Sequence, residues 1–353
     1  MGKLNVCVIF GGKSSEHDIS RLSAKNILYY INKDKYNVFM LGITKKGEWL
    51  LYDGDLENLL SDDWEKGNVK KAIISPDTSD SGLIVFDNGT VSNIHLDCAF
   101  VIIHGKNGED GTIQGLLELS GIPYTGPGVL GSAVCMDKGI AKEVLEHNGI
   151  PVSKGISLRK HNGIENAVNK VKENFDYPVF VKPANAGSSI GCSKVLNDEE
   201  LKNALKIAFD NDKKILVEEF IDAIEVESAV MGNDVPKVAK VGQIISAHEF
   251  YDYDAKYNDT TSKTVIPANI PQDKAEEISE IAKKAYICTE CCGFARIDFF
   301  IEKSTGRVIL NEINTLPGFT NISMFPMMWK ANGVGFTETI DRIIELGLEA
   351  KNG

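Results

Sequence analysis

Residues 3–10 hold Val6, Val8, Ile9 and Phe10 with almost no polar interruption, the pattern of a strand covered on both faces of a parallel sheet. Gly11-Gly12 then turns the chain, and apolar residues recur with helical spacing over 20–31. Residues 36–43 read as a second strand and 97–103 as a later one, followed by a helix over 113–120. Strands alternating with helices predict a doubly wound α/β first domain. Residues 45–95 are polar and turn-rich and read as a peripheral insertion. From Asp137 the pattern changes. A helix over 138–148 leads to a strand at 177–182 that Pro183 stops. The Gly/Ser stretch 187–191 follows, then a strand at 192–195, a helix at 199–209 and a strand at 215–219. A third region carries strands near 226–231, 240–245, 293–300 and 308–313, with helices over 273–289 and 336–348. The expected division is 1–136, 137–221 and 222–353, in line with about 150 residues per domain for 353 residues.

Charge and composition narrow the partners. Lys plus Arg is 38 against 50 Asp plus Glu, a net charge of −12, which disfavours nucleic acid or an acidic membrane surface. The longest apolar runs fall far short of the roughly 18 residues a membrane span needs. Residues 6–10 are too short for a signal peptide and run into glycines. Met1-Gly2 resembles a myristoylation start, but Val6 stands where Ser or Thr is required. The chain therefore reads as cytoplasmic. Seven cysteines are an odd, scattered set. Cys288, Cys291 and Cys292 have no second pair or nearby His to complete a zinc site, and read as packed thiols on one helix face.

The residues with the strongest chemical implication lie near the C-terminal end. Residues two apart on a strand share a face, so Arg296 pairs with Asp298, and Glu312 with Asn314. If the two strands are neighbours, two carboxylates and an amide converge, a hard oxygen set suited to Mg²⁺ on nucleotide phosphates. The alternative is a solvated polar sheet face. The Gly187-Ser188-Ser189-Ile190-Gly191 loop lets backbone N–H groups approach an anion, and Lys138 and Lys182 could join it as a phosphate cradle; alone, it could equally be a hairpin turn. Neither a Walker loop nor a G-x-G-x-x-G fingerprint occurs. Glu16 stands where the first strand gives way to a helix and could hold an ammonium group, while Ser14, Ser15 or Asp18 could simply cap that helix. His104 ends a strand, with function and structure equally open. Residues 250–263 are aromatic and charged, and read as a flap over a site or a plain surface loop.

Taken in order, these segments resemble the D-alanine–D-alanine ligases, within the ATP-grasp ligases. The resemblance is carried by Gly11-Gly12-x-Ser14-x-Glu16, His104-Gly105-x-x-Gly108-Glu109-Asp110-Gly111-x-x-Gln114-Gly115, Gly121-Ile122-Pro123-Tyr124-Thr125-Gly126 and Met136-Asp137-Lys138. It continues with Val181-Lys182-Pro183, Gly187-Ser188-Ser189-x-Gly191, Phe250-Tyr251-Asp252-Tyr253-x-Ala255-Lys256-Tyr257, Arg296-x-Asp298 and Asn311-Glu312-x-Asn314-Thr315-x-Pro317-Gly318. It implies an ATP-grasp fold of three domains and a two-step ligation. The carboxylate of one D-alanine takes the γ-phosphoryl group of ATP, and the amine of a second D-alanine attacks the acyl phosphate. It implies two Mg²⁺ (or Mn²⁺) ions on Asp298, Glu312 and Asn314. ATP would meet Lys138, Lys182, Ser189 and Lys256, with Glu225 on the ribose and Glu218 near the adenine. Glu16 would take the first ammonium, oriented through Ser188 and Tyr257, with His104 nearby. Arg296 and the Gly318 N–H would stabilise the oxyanion, and Ser323 and Met324 would line the second substrate site. A homodimer is the family expectation. Family members that make D-Ala–D-lactate depart from Lys256-Tyr257, and resistance-type members tend to carry Arg where Met324 stands, so both positions favour D-alanine. Glu219-Phe220 departs from the more usual adenine-pocket residues.

Two other classes compete. A dehydrogenase reading lacks its dinucleotide fingerprint. A non-catalytic two-lobed amino-acid-binding protein leaves the Arg296/Asp298/Glu312/Asn314 cluster and the lysines unexplained. A D-Ala–D-Ser ligase is the nearer alternative.

Overall fold

The computed structural model describes residues 2–61, 63–245 and 263–352. Its first sheet grows from β1 (Leu4–Gly11). The helix α1 (His17–Tyr30) returns the chain so that β2 (Tyr36–Ile43) pairs with β1 in parallel. Then β3 (Trp49–Tyr52), β4 (Val69–Ile74), β5 (Gly82–Asp87) and β6 (Thr90–His95) add an antiparallel meander on the β2 side. β7 (Cys98–Val101) closes the other side, parallel to β1, giving the order β6-β5-β4-β3-β2-β1-β7.

Residues 45–95 are thus a continuation of the sheet rather than a peripheral insertion. Trp64 explains why they dock. Its ring is 1% exposed, packs 5.4 Å from Phe10 and 6.0 Å from Tyr52, and leaves no room for a Cβ at Gly42, which would fall 2.2 Å from the indole. Burying such a ring contributes about 1.5–3 kcal/mol.

Three helices follow: α2 (Thr112–Ser120), α3 (Val129–Met136) and α4 (Lys138–His147). Asp137 caps α4 by accepting from the Gly139 and Ile140 N–H groups, which fixes where Lys138 begins the helix. The second unit is β8 (Gly155–Arg159), α5 (Ile164–Asn174), β9 (Val179–Pro183), β10 (Ser193–Val195), α6 (Asp198–Asn211) and β11 (Lys214–Glu219). Its strands pair antiparallel in the order β10-β9-β11-β8. Val168, Leu201, Leu205 and Phe209 of the two helices cover Val179, Val181 and Val217.

The third unit comprises β12 (Ala223–Met231), β13 (Lys237–Val238), β14 (Gly242–Ile245), β15 (Lys263–Val265), α7 (Gln272–Cys288), β16 (Phe294–Glu302), β17 (Val308–Asn314), α8 (Met324–Ala331) and α9 (Phe336–Asn352). Its sheet runs β15-β14-β12-β16-β17, with β13 on β12. The helix α7 ends at Cys288, so Cys291 and Cys292 sit in the turn beyond it, not on a common helix face. Packing still accounts for them: all seven cysteines are free thiols, and the Cys291 and Cys135 sulfurs touch at 3.7 Å. The last helix doubles back to the first unit, where Thr337 donates to the Tyr30 carbonyl and Asp341 pairs with Lys35 at 2.7 Å. Phe100, Phe294, Phe319 and Phe325 form one aromatic cluster across the same junction. No helix among the described residues is long and apolar enough to cross a membrane.

Candidate active site

A cavity of about 800 Å³ opens between the four-stranded and six-stranded sheets. On one side β16 and β17 pair antiparallel, which sets Asp298 directly opposite Glu312 and Arg296 directly opposite Asn314. β12 lies on the other side of β16 and puts Glu227 opposite Asp298. Three acids therefore stand in a row across three strands, all bordering the cavity. Directly opposed like charges destabilise a sheet. Arg296 offsets part of this: its Nε and Nη2 donate to the two Asp298 oxygens at 2.7 and 2.8 Å, and Nε lies 3.0 Å from Glu227. Asn314 adds a 3.0 Å bond to Asp298. Burial alone would lower the Arg296 pKa, but Asp298 and Glu227 hold it well above the ordinary value. Hard oxygen donors are the kind divalent cations take, though among the described residues no three acid or imidazole side chains close into a ready metal cluster.

The lysines face this row. Lys138, first in α4, donates to the Ala186 carbonyl at 2.9 Å and lies 3.5 Å from Glu312. Lys182 on β9 is buried, donates to the Asn311 side chain at 3.2 Å and pairs with Glu218 at 2.7 Å. Burial works against the Lys182 charge, but Glu218 and then Glu312 raise its pKa. Glu218 and Glu225, expected near a nucleotide, both border the cavity. The Glu218 carboxylate is held by Lys182 and, at 2.6 Å, by Lys142. Phe180, Phe220 and Phe300 supply apolar wall, with the Lys194 ammonium 4.1 Å over the Phe220 ring.

At the far end the 187–191 loop crosses to the first unit. Ser188 and Ser189 both take left-handed backbone angles, φ +52° and +57°, which non-glycine residues rarely adopt. That conformation aims the Ser188 hydroxyl at Glu16, to which it donates a hydrogen bond. Glu16 itself precedes α1, where the helix N-terminus favours an acid. Its carboxylate is wedged so tightly that a Cβ at either Gly105 or Gly187 would lie 2.6 Å from Oε2.

His104 is expected beside a substrate, and both its ring nitrogens are engaged: Nδ1 donates to the Leu316 carbonyl at 2.9 Å, which leaves Nε2 to accept from Ser23 at 3.0 Å. Burial pushes its pKa down, so it is a neutral brace. Ser23 also accepts from the Phe319 N–H. Glu109 accepts from the Gly105 N–H at 2.7 Å and from Leu316 at 3.3 Å. Gly318 thus lies in a loop pinned on both sides. Ser323 accepts from the Thr320 N–H and sits 2.9 Å from where a Cβ at Gly318 would be. Met324 is buried at the start of α8, its methyl group 2.3 Å from a Cβ position at Gly242. Lys256 and Tyr257, and the expected flap apart from Lys263, lie outside the described residues.

Four side chains of this site have no role in the sequence reading: Lys142 and Glu227, which it does not single out, and Glu109 and Asn311, which it names only within motifs. Glu227 had a readable signal, since Glu225-Val226-Glu227 places two acids on one strand face. Lys142 had none, because a lysine on a helix of mixed polarity reads as solvent-facing.

Comparisons with known proteins agree with this geometry. Residues 5–127 match the family described as D-ala D-ala ligase N-terminus, and residues 144–345 match D-ala D-ala ligase C-terminus. A D-alanine–D-alanine ligase of Acetivibrio thermocellus is 48% identical, covering 99% of this chain and 97% of the relative. One from Caldicellulosiruptor bescii is 47% identical over 99% and 96%. Among solved structures, the VanG D-Ala:D-Ser ligase from Enterococcus faecalis superposes with a TM-score of 0.89 at 38% identity, covering 98% of this chain and 100% of that one. The D-alanine–D-alanine ligase from Coxiella burnetii gives 0.87 at 34%, covering 100% and 96%. The ordered motifs, the paired acid strands and these full-length matches lead to one conclusion: the chain belongs to the D-alanine–D-alanine ligase family, with its ATP-grasp fold.

Proposed function

We propose that this protein joins two D-alanines into D-alanyl-D-alanine at the expense of ATP, for peptidoglycan synthesis, in the cytoplasm and as a homodimer, with units at 1–136, 137–221 and 222–353. The observation that carries the chemistry is the strand register that sets Asp298 opposite Glu312 across one cavity from Lys138 and Lys182. Cations and fixed donors belong where a transferring phosphoryl group gathers charge.

Glu16, steadied by Ser188, binds the ammonium of the first D-alanine. Lys138 and Lys182 hold the phosphates, with Ser189, Glu225 and Lys256 completing the nucleotide contacts. Arg296 and the Gly318 N–H face the oxyanion that forms when the second amine attacks. Asp298, Glu312 and Asn314 would hold Mg²⁺ or Mn²⁺, which neutralises phosphate charge when bound. Glu109 and His104 hold the Leu316–Phe319 loop so that Gly318 is in place before substrate arrives. Tyr257, Ser323 and Met324 are the residues assigned to the second substrate; of these Met324 packs in the core, 5% exposed.

A second reading, D-Ala–D-Ser ligation, is favoured by the VanG match. Against it, several relatives at 43–48% identity are named D-alanine–D-alanine ligases. Phosphate release on adding D-alanine to ATP and Mg²⁺ tests the ligase reading. ADP formation independent of D-alanine, or none at all, would contradict it.

A further inference from the structure

Lys142 has no place in the nucleotide contacts expected from the sequence, and it does not border the cavity. It is nevertheless buried, with its ammonium 2.6 Å from Glu218 and donating to the Ser153 hydroxyl at 2.6 Å. Glu218 is also buried and carries Lys182 on its other oxygen at 2.7 Å. The three side chains form one line, Lys142–Glu218–Lys182, whose Glu218 and Lys182 members border the cavity.

A buried lysine facing an already paired carboxylate is an expensive arrangement. Desolvating an ammonium costs several kcal/mol, and a single ion pair would already satisfy Glu218. The charge count suggests what the second lysine achieves. Glu218 with Lys182 alone is neutral, and the Lys182 charge is then fully spent inside the protein. With Lys142 added, two positive charges share one negative charge, and the line carries a net positive charge to its cavity end. We propose that Lys142 is a positioning residue for nucleotide binding: it draws off the Glu218 carboxylate so that the Lys182 ammonium stays available to phosphate oxygens. This rests on the ATP reading above and deepens it.

The shifts follow the same geometry. Burial lowers the Lys142 pKa against the pull of Glu218, while the two lysines overcome burial and keep Glu218 ionised. At separations of this order, one unit charge in a partly screened interior changes phosphate affinity by about tenfold or more.

The test measures equilibrium binding of ADP and AMP-PNP by calorimetry, with adenosine followed by ligand-observed NMR. Adenosine has no phosphate and isolates the rest of the pocket. The proteins are wild type, Lys142→Met, Lys142→Gln and Lys142→Arg. Two neutral variants are included so that one failure to fold does not end the experiment. ADP and AMP-PNP should weaken about tenfold or more in both neutral variants, adenosine, which meets Glu218 but no phosphate contact, clearly less, and arginine should restore binding. Equal weakening of adenosine would mean a general loss of pocket shape and would overturn it, as would unchanged ADP affinity. Wild-type protein that binds neither ADP nor AMP-PNP would instead overturn the ATP reading itself.

Discussion

Glu109 offers a sharp quantitative test of the site, because it is an acid the fold keeps from ionising. Burial, and then repulsion from Glu16, push its pKa up from 4.5 to about 8, against the two backbone N–H groups it accepts from. The folded state therefore binds a proton that the unfolded chain has already lost. Below about 4.5 both states hold the proton, and above about 8 neither does. Between those values the stability attributable to Glu109 falls as pH rises, at most by about 1.4 kcal/mol per pH unit. Summed over the window, the loss is about 2–5 kcal/mol.

Glu109→Gln removes the titration. It also sets an amide N–H₂ group against the backbone N–H of Gly105 or Leu316, so a constant loss of about 1–3 kcal/mol comes with it. The readout is thus the slope, not the level. Chemical denaturation of wild type and variant at half-unit steps from pH 5 to 8.5 gives the difference curve. We expect wild type to lose its advantage steadily with rising pH. A difference that is flat, or that grows with pH, would show that Glu109 is ionised in the fold and would refute the argument.

Three further outcomes follow from named contacts. Glu312→Gln should preserve the fold and lower D-alanine-dependent phosphate release on the order of 10²-fold, as for removal of one preorganised electrostatic group; near-native release would remove Glu312 from the phosphate end. Gly187→Ala places a methyl group 2.6 Å from the Glu16 carboxylate. It should raise the KM for the first D-alanine at least tenfold, and by more than it weakens ADP, since Gly187 also borders the nucleotide cavity; steady-state kinetics with calorimetry would show whether it does. Phe294→Ala empties the centre of the aromatic cluster joining the first and third units. It should cost about 3–5 kcal/mol in denaturant unfolding.

Much of this was readable from sequence, for identifiable reasons. A central parallel strand needs no polar face, so residues 3–10 and 36–43 announced themselves, and β2 spans Tyr36–Ile43 as expected. The meander between them and β7 was opaque. Its strands are short, Thr90–His95 is almost wholly exposed, and Lys70 and Lys71 sit in a strand that buries only alternate residues. Nothing local tells that Trp64 will fill a hole over Gly42.

The acid row was legible because alternate residues on a strand share a face. Register supplied the rest, adding Glu227 opposite Asp298. Glu218 shows what motif reading leaves out. It borders the cavity, and only the fold shows that its charge is shared by two lysines, one of them on a helix far back in sequence. His104 is similar: its place at the end of a strand suggested chemistry, and only the fold brings Ser23 and Leu316 to its two nitrogens.

The central claim is the product. Purified protein with ATP, Mg²⁺ and an equimolar mixture of D-alanine and D-serine near pH 7, with D-lactate in a parallel reaction, can be read by mass spectrometry. D-serine would leave a hydroxyl poorly satisfied against the uncharged wall expected from Met324 and Tyr257, a cost of about 1–3 kcal/mol or roughly 10- to 100-fold. D-alanyl-D-alanine should be the main product, formed with one ADP and one phosphate per dipeptide, with negligible D-Ala–D-lactate. A dominant D-Ala–D-Ser peak would contradict it.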